Sequence, residues 1–500
     1  MNMEANYNPA PMHDLVNTGI DGLNHLLRGG LTRDRMYLIE GDPGTGKTTL
    51  AMQFLLQGRS QGDPGLYVTL SETEHELRAV AASHGWSLDG LELFQLSAME
   101  GSRQQDQYTL YHPAEVELGE TMQKVTDVIE RLQPTRVVLD SLSEMRLLAR
   151  DPLRYRRQIL SLKEFFSGRS CTVLLLDDHA NEPDQQLQSL SHGVVLLDQL
   201  PFEYGRARRR VRILKMRGLA AIEGFHDFKI QRGGLVVFPQ LSPPPDGQVR
   251  KAASDVKSGV GELDLLLGGG IAWGSTTLLI GPAGSGKSTV AAHYAAAVEL
   301  PNKAAIFLFE ERPDTFLLRC DALGMRIAER VKSGAIELVQ VNPGDLSPGE
   351  FLHLVREAVD VRGARLVMID SLNGYLNAIP QSDAPLVRMH ELLAYLNGRG
   401  VASLVVVAQH GIVGTAMITP IDVSYLADAV ILLRFFEATG QVRKAISVVK
   451  KRSGSHETTI RELQIGPNAL RVGAALTDFQ GVLTGVPHYI GPTGPLLKND

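Results

Sequence analysis

The stretch Gly41-Asp42-Pro43-Gly44-Thr45-Gly46-Lys47-Thr48 closes the apolar run Tyr37-Leu38-Ile39 and opens an apolar, helix-forming segment. Its glycine spacing, ending in Lys and Thr, is that of a P-loop. In such a loop the backbone N–H groups of a strand-to-helix turn cradle phosphates, the lysine reaches the outer phosphates and the hydroxyl binds magnesium. A helix N-terminus, with unpaired donors and the positive end of its dipole, then faces the anion. The device recurs as Gly281-Pro282-Ala283-Gly284-Ser285-Gly286-Lys287-Ser288. Two occurrences in the same strand and helix context predict two nucleotide sites. The expected phosphate-binding residues are Gly41, Gly44, Thr45, Gly46, Lys47, Thr48 and Thr49 in the first, and Gly281, Gly284, Ser285, Gly286, Lys287, Ser288 and Thr289 in the second.

Outward from the loops the two halves keep matching. Thr18 to Gly30 reads Thr-Gly-Ile-Asp-Gly-Leu-Asn-His-Leu-Leu-Arg-Gly-Gly, and Ser258 to Gly270 reads Ser-Gly-Val-Gly-Glu-Leu-Asp-Leu-Leu-Leu-Gly-Gly-Gly. The offset is 240 residues from Gly19 to Gly259 and from Lys47 to Lys287, 230 from Asp140 to Asp370, and 235 from Lys215 to Lys450. A period this long is a duplicated domain, since solenoid repeats run about 20–50 residues. The Pro-rich, polar segment Leu241 to Arg250 reads as the connection. The expected division is 14–240 for the first domain, 241–253 for the linker, 254–490 for the second domain and 491–500 for the tail.

Within each half, short apolar runs alternate with longer helical patterns, which predicts a mostly parallel sheet flanked by helices, an α/β fold. The strands expected in the first half are Met36 to Ile39, Leu66 to Leu70, Arg136 to Leu139 and Thr172 to Leu176. Those in the second are Thr276 to Ile280, Ala305 to Phe309, Leu366 to Ile369 and Ser403 to Ala408. Hairpin-like strands follow at Val194 to Leu197 and Val211 to Lys215, then at Ala429 to Arg434 and Ala445 to Lys450. An apolar fraction of 44% over 500 residues is ample for two cores, and Cys171 and Cys320 alone form neither a zinc spacing nor a disulfide framework. The net charge of −6 gives no global reason to expect nucleic acid or an anionic membrane. With no run of about 18 apolar residues and no apolar core in Met1 to His13, a cytoplasmic protein is expected.

Asp140 ends Arg-Val-Val-Leu-Asp and Asp370 ends Leu-Val-Met-Ile-Asp. An acid at the tip of a buried strand beside a P-loop is placed to organise magnesium with Thr48 or Ser288; the competing reading is a helix cap. The second strand of each half also ends in acids, as Phe309-Glu310-Glu311 and as Leu70-Ser71-Glu72. Phosphoryl transfer needs a carboxylate to orient and deprotonate the attacking oxygen. Glu310 is the candidate base, Glu311 stands beside it, and Ser71 leaves Glu72 as the acid of the first half; the bland alternative is that these acids start the next helix. Lys215-Met216-Arg217 and Lys450-Lys451-Arg452 follow strand-like runs. They read either as solvated strand ends or, in a ring, as cations reaching a neighbour's nucleotide. The run Arg206 to Arg212 reads as a solvated loop or subunit contact ahead of a nucleic-acid patch. Gln409 is placed like a sensor of the terminal phosphate, where the first half has Asp177-Asp178-His179, expected to be a solvated strand end.

With these residues in place the chain resembles the KaiC-like family of tandem RecA-fold ATPases, from about Asp14 to Tyr489. The resemblance rests on the Gly-Ile/Val-x-x-Leu-x-x-Leu-Leu-x-Gly-Gly lead-ins, both P-loops, the Glu310-Glu311 pair and the Lys-x-Arg endings. It implies ATP and Mg2+ as ligands, a homohexameric double ring with ATP between subunits, hydrolysis in the first ring and autokinase activity in the second. The clock member phosphorylates a Ser-Thr pair, and here Ser424 matches the serine while Tyr425 replaces the threonine. Ser71, Tyr425 and a short segment after Val482 to Pro487 depart from the clock pattern. A non-clock, signalling-type serine/threonine autokinase and ATPase is therefore expected. Its rivals are a RecA-like recombinase or helicase, and a nucleotide-gated scaffold with little turnover.

Overall fold

The computed structural model describes residues 15–96, 113–149, 151–178, 185–200, 207–241, 255–342, 344–377, 379, 385–409, 424–438, 440–466, 469–483 and 487–491. The chain separates into two compact units, Met1–Gln240 and Leu241–Asp500. The greater part of the expected linker, residues 242–253, lies outside the described residues, whereas Leu241 is buried in the core of the second unit.

In the first unit one sheet of nine strands runs Gly234–Phe238, Phe225–Gln231, Arg208–Met216, Gly193–Leu200, Met36–Gly41, Thr172–Asp178, Arg136–Asp140, Gly65–Thr69 and Glu92–Gln95. Pairing is parallel from Gly193–Leu200 through to Glu92–Gln95 and antiparallel on the other side. The second unit repeats the order with Ala469–Ala475, Arg461–Gly466, Gln441–Lys451, Ala429–Ala438, Thr276–Gly281, Ala402–Ala408, Ala364–Asp370, Lys303–Leu308 and Ile336–Gln340. Each is a mostly parallel RecA-like sheet flanked by helices.

The central strands are mostly apolar because both faces of the sheet are covered, with acids such as Glu40 and Asp177 confined to their carboxyl ends. Side chains alternate across a strand, so Tyr37 and Ile39 enter one core with the helix Lys47–Ser60, while Met36 and Leu38 enter the other with Tyr155, Ile159 and Leu162. In the second unit Leu279 faces the core holding Val290 and Tyr294, and Leu278 and Ile280 face that of Phe351 and Leu392. The edge strands Glu92–Gln95 and Ile336–Gln340 and the terminal antiparallel strands escape the sequence reading. The edge strands are short and mostly half-buried, so their pattern carries little signal.

One core position divides the halves. Arg136 is 1% exposed and pairs with Asp63 at 3.0 Å. It donates to the carbonyls of Asn17 and Phe54 at 2.8 and 2.9 Å, and to Gln61 Oε1 at 2.8 Å. Gly58 makes room, since a Cβ there would lie 2.4 Å from Arg136 Cδ. By strand register the corresponding residue is Leu366, fully buried.

Candidate nucleotide sites

Both P-loops sit at the carboxyl end of a central strand, where open α/β sheets place ligands. Gly46 and Gly286 act as left-handed N-caps, at φ 106° and 103°, for the helices Lys47–Ser60 and Lys287–Ala297. A side chain is excluded there twice, because a Cβ would also lie 2.6 Å from Ile230 in one loop and 2.5 Å from Ile465 in the other. Gly41 and Gly281 approach the neighbouring strand so closely that a Cβ would meet the carbonyls of Leu197 and Leu433 at 2.5 Å. Gly44, by contrast, faces open space. The result is a cradle of backbone donors with room for phosphate.

Thr48 Oγ1 donates to Asp140 Oδ2 at 3.2 Å, and the Ser288 hydroxyl hydrogen-bonds Asp370. Hydroxyl and carboxylate thus stand together in both units, the oxygen donors a hard cation takes. Asp140 also accepts from the Tyr67 phenol at 2.5 Å, where register puts Ile306 in the second unit. Burial pushes the Asp140 carboxyl up, opposed by Tyr67, Thr48 and Lys47. Burial likewise pushes Asp370 up to about 6; the Glu310 and Glu311 charges add to the rise, while the Ser288 hydrogen bond and the Arg319 charge oppose it.

Burial pushes Lys287 down to about 8 against the pull of Asp370 and Glu310. Magnesium-ATP association with the second loop is therefore expected to be strongest between about pH 6 and about pH 8. It should weaken below that window as Asp370 gains a proton and above it as Lys287 loses one, which calorimetric titration of a Lys47→Ala chain at stepped pH would read.

The acids ending the second strand are not helix caps. Thr73 and Glu76 form the capping box of the helix Glu74–Ser83, and the helix Pro313–Ala322 begins on Arg312 without a side-chain cap. Glu310 is exposed, its two oxygens 2.8 and 2.9 Å from Ser371 Oγ. Glu311 instead forms a bidentate pair with Arg319, at 3.1 and 2.7 Å, and Arg319 also donates to Thr289 at 3.0 Å. Arg319 and Thr289 line a cavity of about 450 Å³ with Lys287, Ser288 and Lys444. The position matching Arg319 is Val80, counted from Glu72 and Glu311. Glu72 accordingly keeps one buried oxygen with no hydrogen-bond partner, and burial, then the Asp140 charge, pushes its carboxyl up.

Gln409 donates its backbone N–H to Gly281 O at 3.0 Å, and its Oε1 is buried without a partner. Its counterpart His179 lies outside the described residues. The preceding acids are not a solvated strand end: Asp177 is 2% exposed and paired with Arg146 at 2.5 Å, and Asp178 pairs with Lys47 at 2.9 Å. Asp177 turns inward and Asp178, half-exposed, turns to the P-loop lysine because Arg146, Ser143 and Lys47 supply donors that a linear reading does not reveal.

The basic endings are engaged within their own units. Lys215 Nζ donates to the carbonyls of Gln188, Ser189 and Ser191 at 2.7, 3.2 and 2.9 Å, and Arg217 donates to Ser189 O at 2.8 Å. Arg452 donates to Tyr425 O at 3.2 Å and lies 3.5 Å from Asp428, while Lys450 is register-paired with Val430. In the arginine run, Arg210 pairs with Asp198 and lies over Phe225, and Arg209 reaches Gly44 O at 3.5 Å. Lys444 occupies the place of Arg209 in the second unit. Sequence reasoning missed Arg209, Lys444 and Arg319 because each meets its loop from a distant strand or helix. Ser424 opens the short turn Ser424–Leu426, and its side chain is outside the described part of the structure.

Paired P-loops on repeated RecA-like sheets define a tandem ATP-binding ATPase. Residues 16–242 and 256–477 each match the family described as ATPase: KaiC, and the chain belongs to that family. It is similar to the circadian clock oscillator protein KaiC of Prochlorococcus marinus (strain MIT 9313), 27% identical over 95% of both chains. It is similar also to the circadian clock protein KaiC3 of Synechocystis sp. (strain ATCC 27184 / PCC 6803 / Kazusa), 25% identical over 95% of this chain and 94% of that one. The circadian clock oscillator protein KaiC of Synechococcus elongatus (strain ATCC 33912 / PCC 7942 / FACHB-805) is 27% identical over 95% of this chain and 92% of its own. Among the described residues no helix is long and apolar enough to cross a membrane.

Proposed function

We propose that the second domain is a serine autokinase site and the first an ATP site of lower turnover, joined in a cytoplasmic, homohexameric signalling switch outside timekeeping. The observation that carries this reading is the division of labour between Glu310 and Glu311. Arg319 neutralises Glu311 and ties it to the P-loop helix through Thr289. Glu310 is left exposed, with Ser371 its one hydrogen-bond partner among the described residues, and is the carboxylate able to take the proton of an attacking hydroxyl.

Lys287 holds the outer phosphates, and Ser288 and Asp370 are the residues that would hold magnesium. The ion supplies charge neutralisation on the phosphoryl oxygens when bound. Thr48 and Asp140 are the matching pair in the first domain. Lys215, Arg217, Lys450 and Arg452 are the candidate cations for a neighbouring subunit's nucleotide, and Ser424 is the candidate acceptor. Ser71, exposed where the second domain has Glu310, favours a scaffold-like first domain that holds ATP with little turnover.

Incubation of the full chain with γ-labelled ATP, followed by peptide mapping, tests the kinase assignment. Label at Ser424 is expected. Intact ATP binding with no phosphate at or near Ser424 would remove the autokinase part of the reading.

A further inference from the structure

We propose that Asp178 is an affinity-determining residue of the first nucleotide site, a tethered anion that competes with the outer phosphates of ATP for Lys47. This rests on the ATP-binding reading of that loop. An ammonium has three donors, and Lys47 Nζ meets three acceptors: Gly41 O at 2.6 Å, Asp42 O at 3.1 Å and Asp178 Oδ1 at 2.9 Å. Two of these are loop carbonyls, and the third carries a charge of the same sign as phosphate.

The second loop shows what the position looks like without that anion. Strand register pairs Gly41 with Asp178 and Gly281 with Ala408. Lys287 Nζ donates to Pro282 O at 2.7 Å, and no carboxylate within salt-bridge distance of it is found among the described residues. The backbone at this strand end is clasped in both units by the helix that follows the neighbouring strand, Leu142–Ala149 in one and Leu372–Asn377 in the other. Asp178 N donates to Ser143 Oγ at 3.1 Å, while Asn373 exchanges hydrogen bonds with the Ala408 backbone at 2.7 and 3.0 Å. A carboxylate is therefore unnecessary for the clasp. The Asp178 side chain is 44% exposed and its second oxygen accepts from Ser143 Oγ at 3.0 Å, so it turns into solvent by giving up that one hydrogen bond when phosphate arrives. Until it does, it shields the lysine, and once phosphate is bound it stands beside a like charge.

The test uses the full chain carrying Lys287→Ala, with a fluorescent N-methylanthraniloyl ATP titrated against the first loop, in magnesium and in EDTA. Asp178→Asn keeps the size and removes the charge, and Asp178→Ala removes the side chain. Both are expected to bind about tenfold tighter than the parent under both conditions, the scale of relieving one close like-charge contact in a largely water-like dielectric. The reciprocal Ala408→Asp, in a chain carrying Lys47→Ala, is expected to weaken binding at the second loop. Unchanged affinity in both Asp178 variants would overturn the proposal. So would weakening confined to magnesium, which would place Asp178 in the metal shell. Absence of measurable binding in the parent and in both variants would instead refute the ATP-binding reading of the loop.

Discussion

Glu310→Gln is expected to slow phosphoryl transfer in the second domain by roughly 10²–10⁴-fold, the range for losing a positioned general base. ATP binding should change far less than the rate, because Glu310 hydrogen-bonds Ser371 and acts on Lys287 and Asp370 through its charge and not through a direct hydrogen bond. The amide keeps the shape and the acceptor for Ser371 while removing the ability to take a proton. Glu311 offers no substitute, since both its oxygens are held by Arg319. Single-turnover measurement on a chain carrying Lys47→Ala isolates the second site. A rate within about threefold of the parent would show that no general base of this strength acts there.

Arg136→Met is expected to destabilise the first unit by about 3–5 kcal/mol, the cost of breaking a buried pair by removing one partner. Asp63 loses its counter-charge, and the carbonyls of Asn17 and Phe54 lose their donor. The second unit tolerates Leu366 at this position, so the requirement comes from the partners and not from the fold. Thermal unfolding followed by calorimetry should show the first unit melting earlier with the second unmoved. Adding Asp63→Asn should recover part of the loss if the stranded charge contributes to it.

The central parallel strands and both P-loops are legible in the sequence because their signals are local: an apolar run, a glycine spacing, a helix. The pair Thr48–Asp140 can be inferred across 92 residues only because each partner sits in its own motif. Arg319, Val80 and Asp178 have no such motif. Their meaning depends on which side chains the folded chain brings opposite them, and on a position-by-position match between halves that strand register supplies. The division between Glu310 and Glu311 illustrates this: two adjacent carboxylates are chemically alike in sequence, and one arginine eight residues on from Glu311 makes them unlike.

Lys215 and Arg217 close the carboxyl end of the helix Gln185–Leu190, and all three ammonium donors of Lys215 are occupied there. In the proposed ring, Lys215 can serve a neighbour's nucleotide only by releasing one of these carbonyls. Closure of this helix end and contact with a neighbour's phosphate draw on the same side chain, so the proposed assembly and local helix order compete for one ammonium.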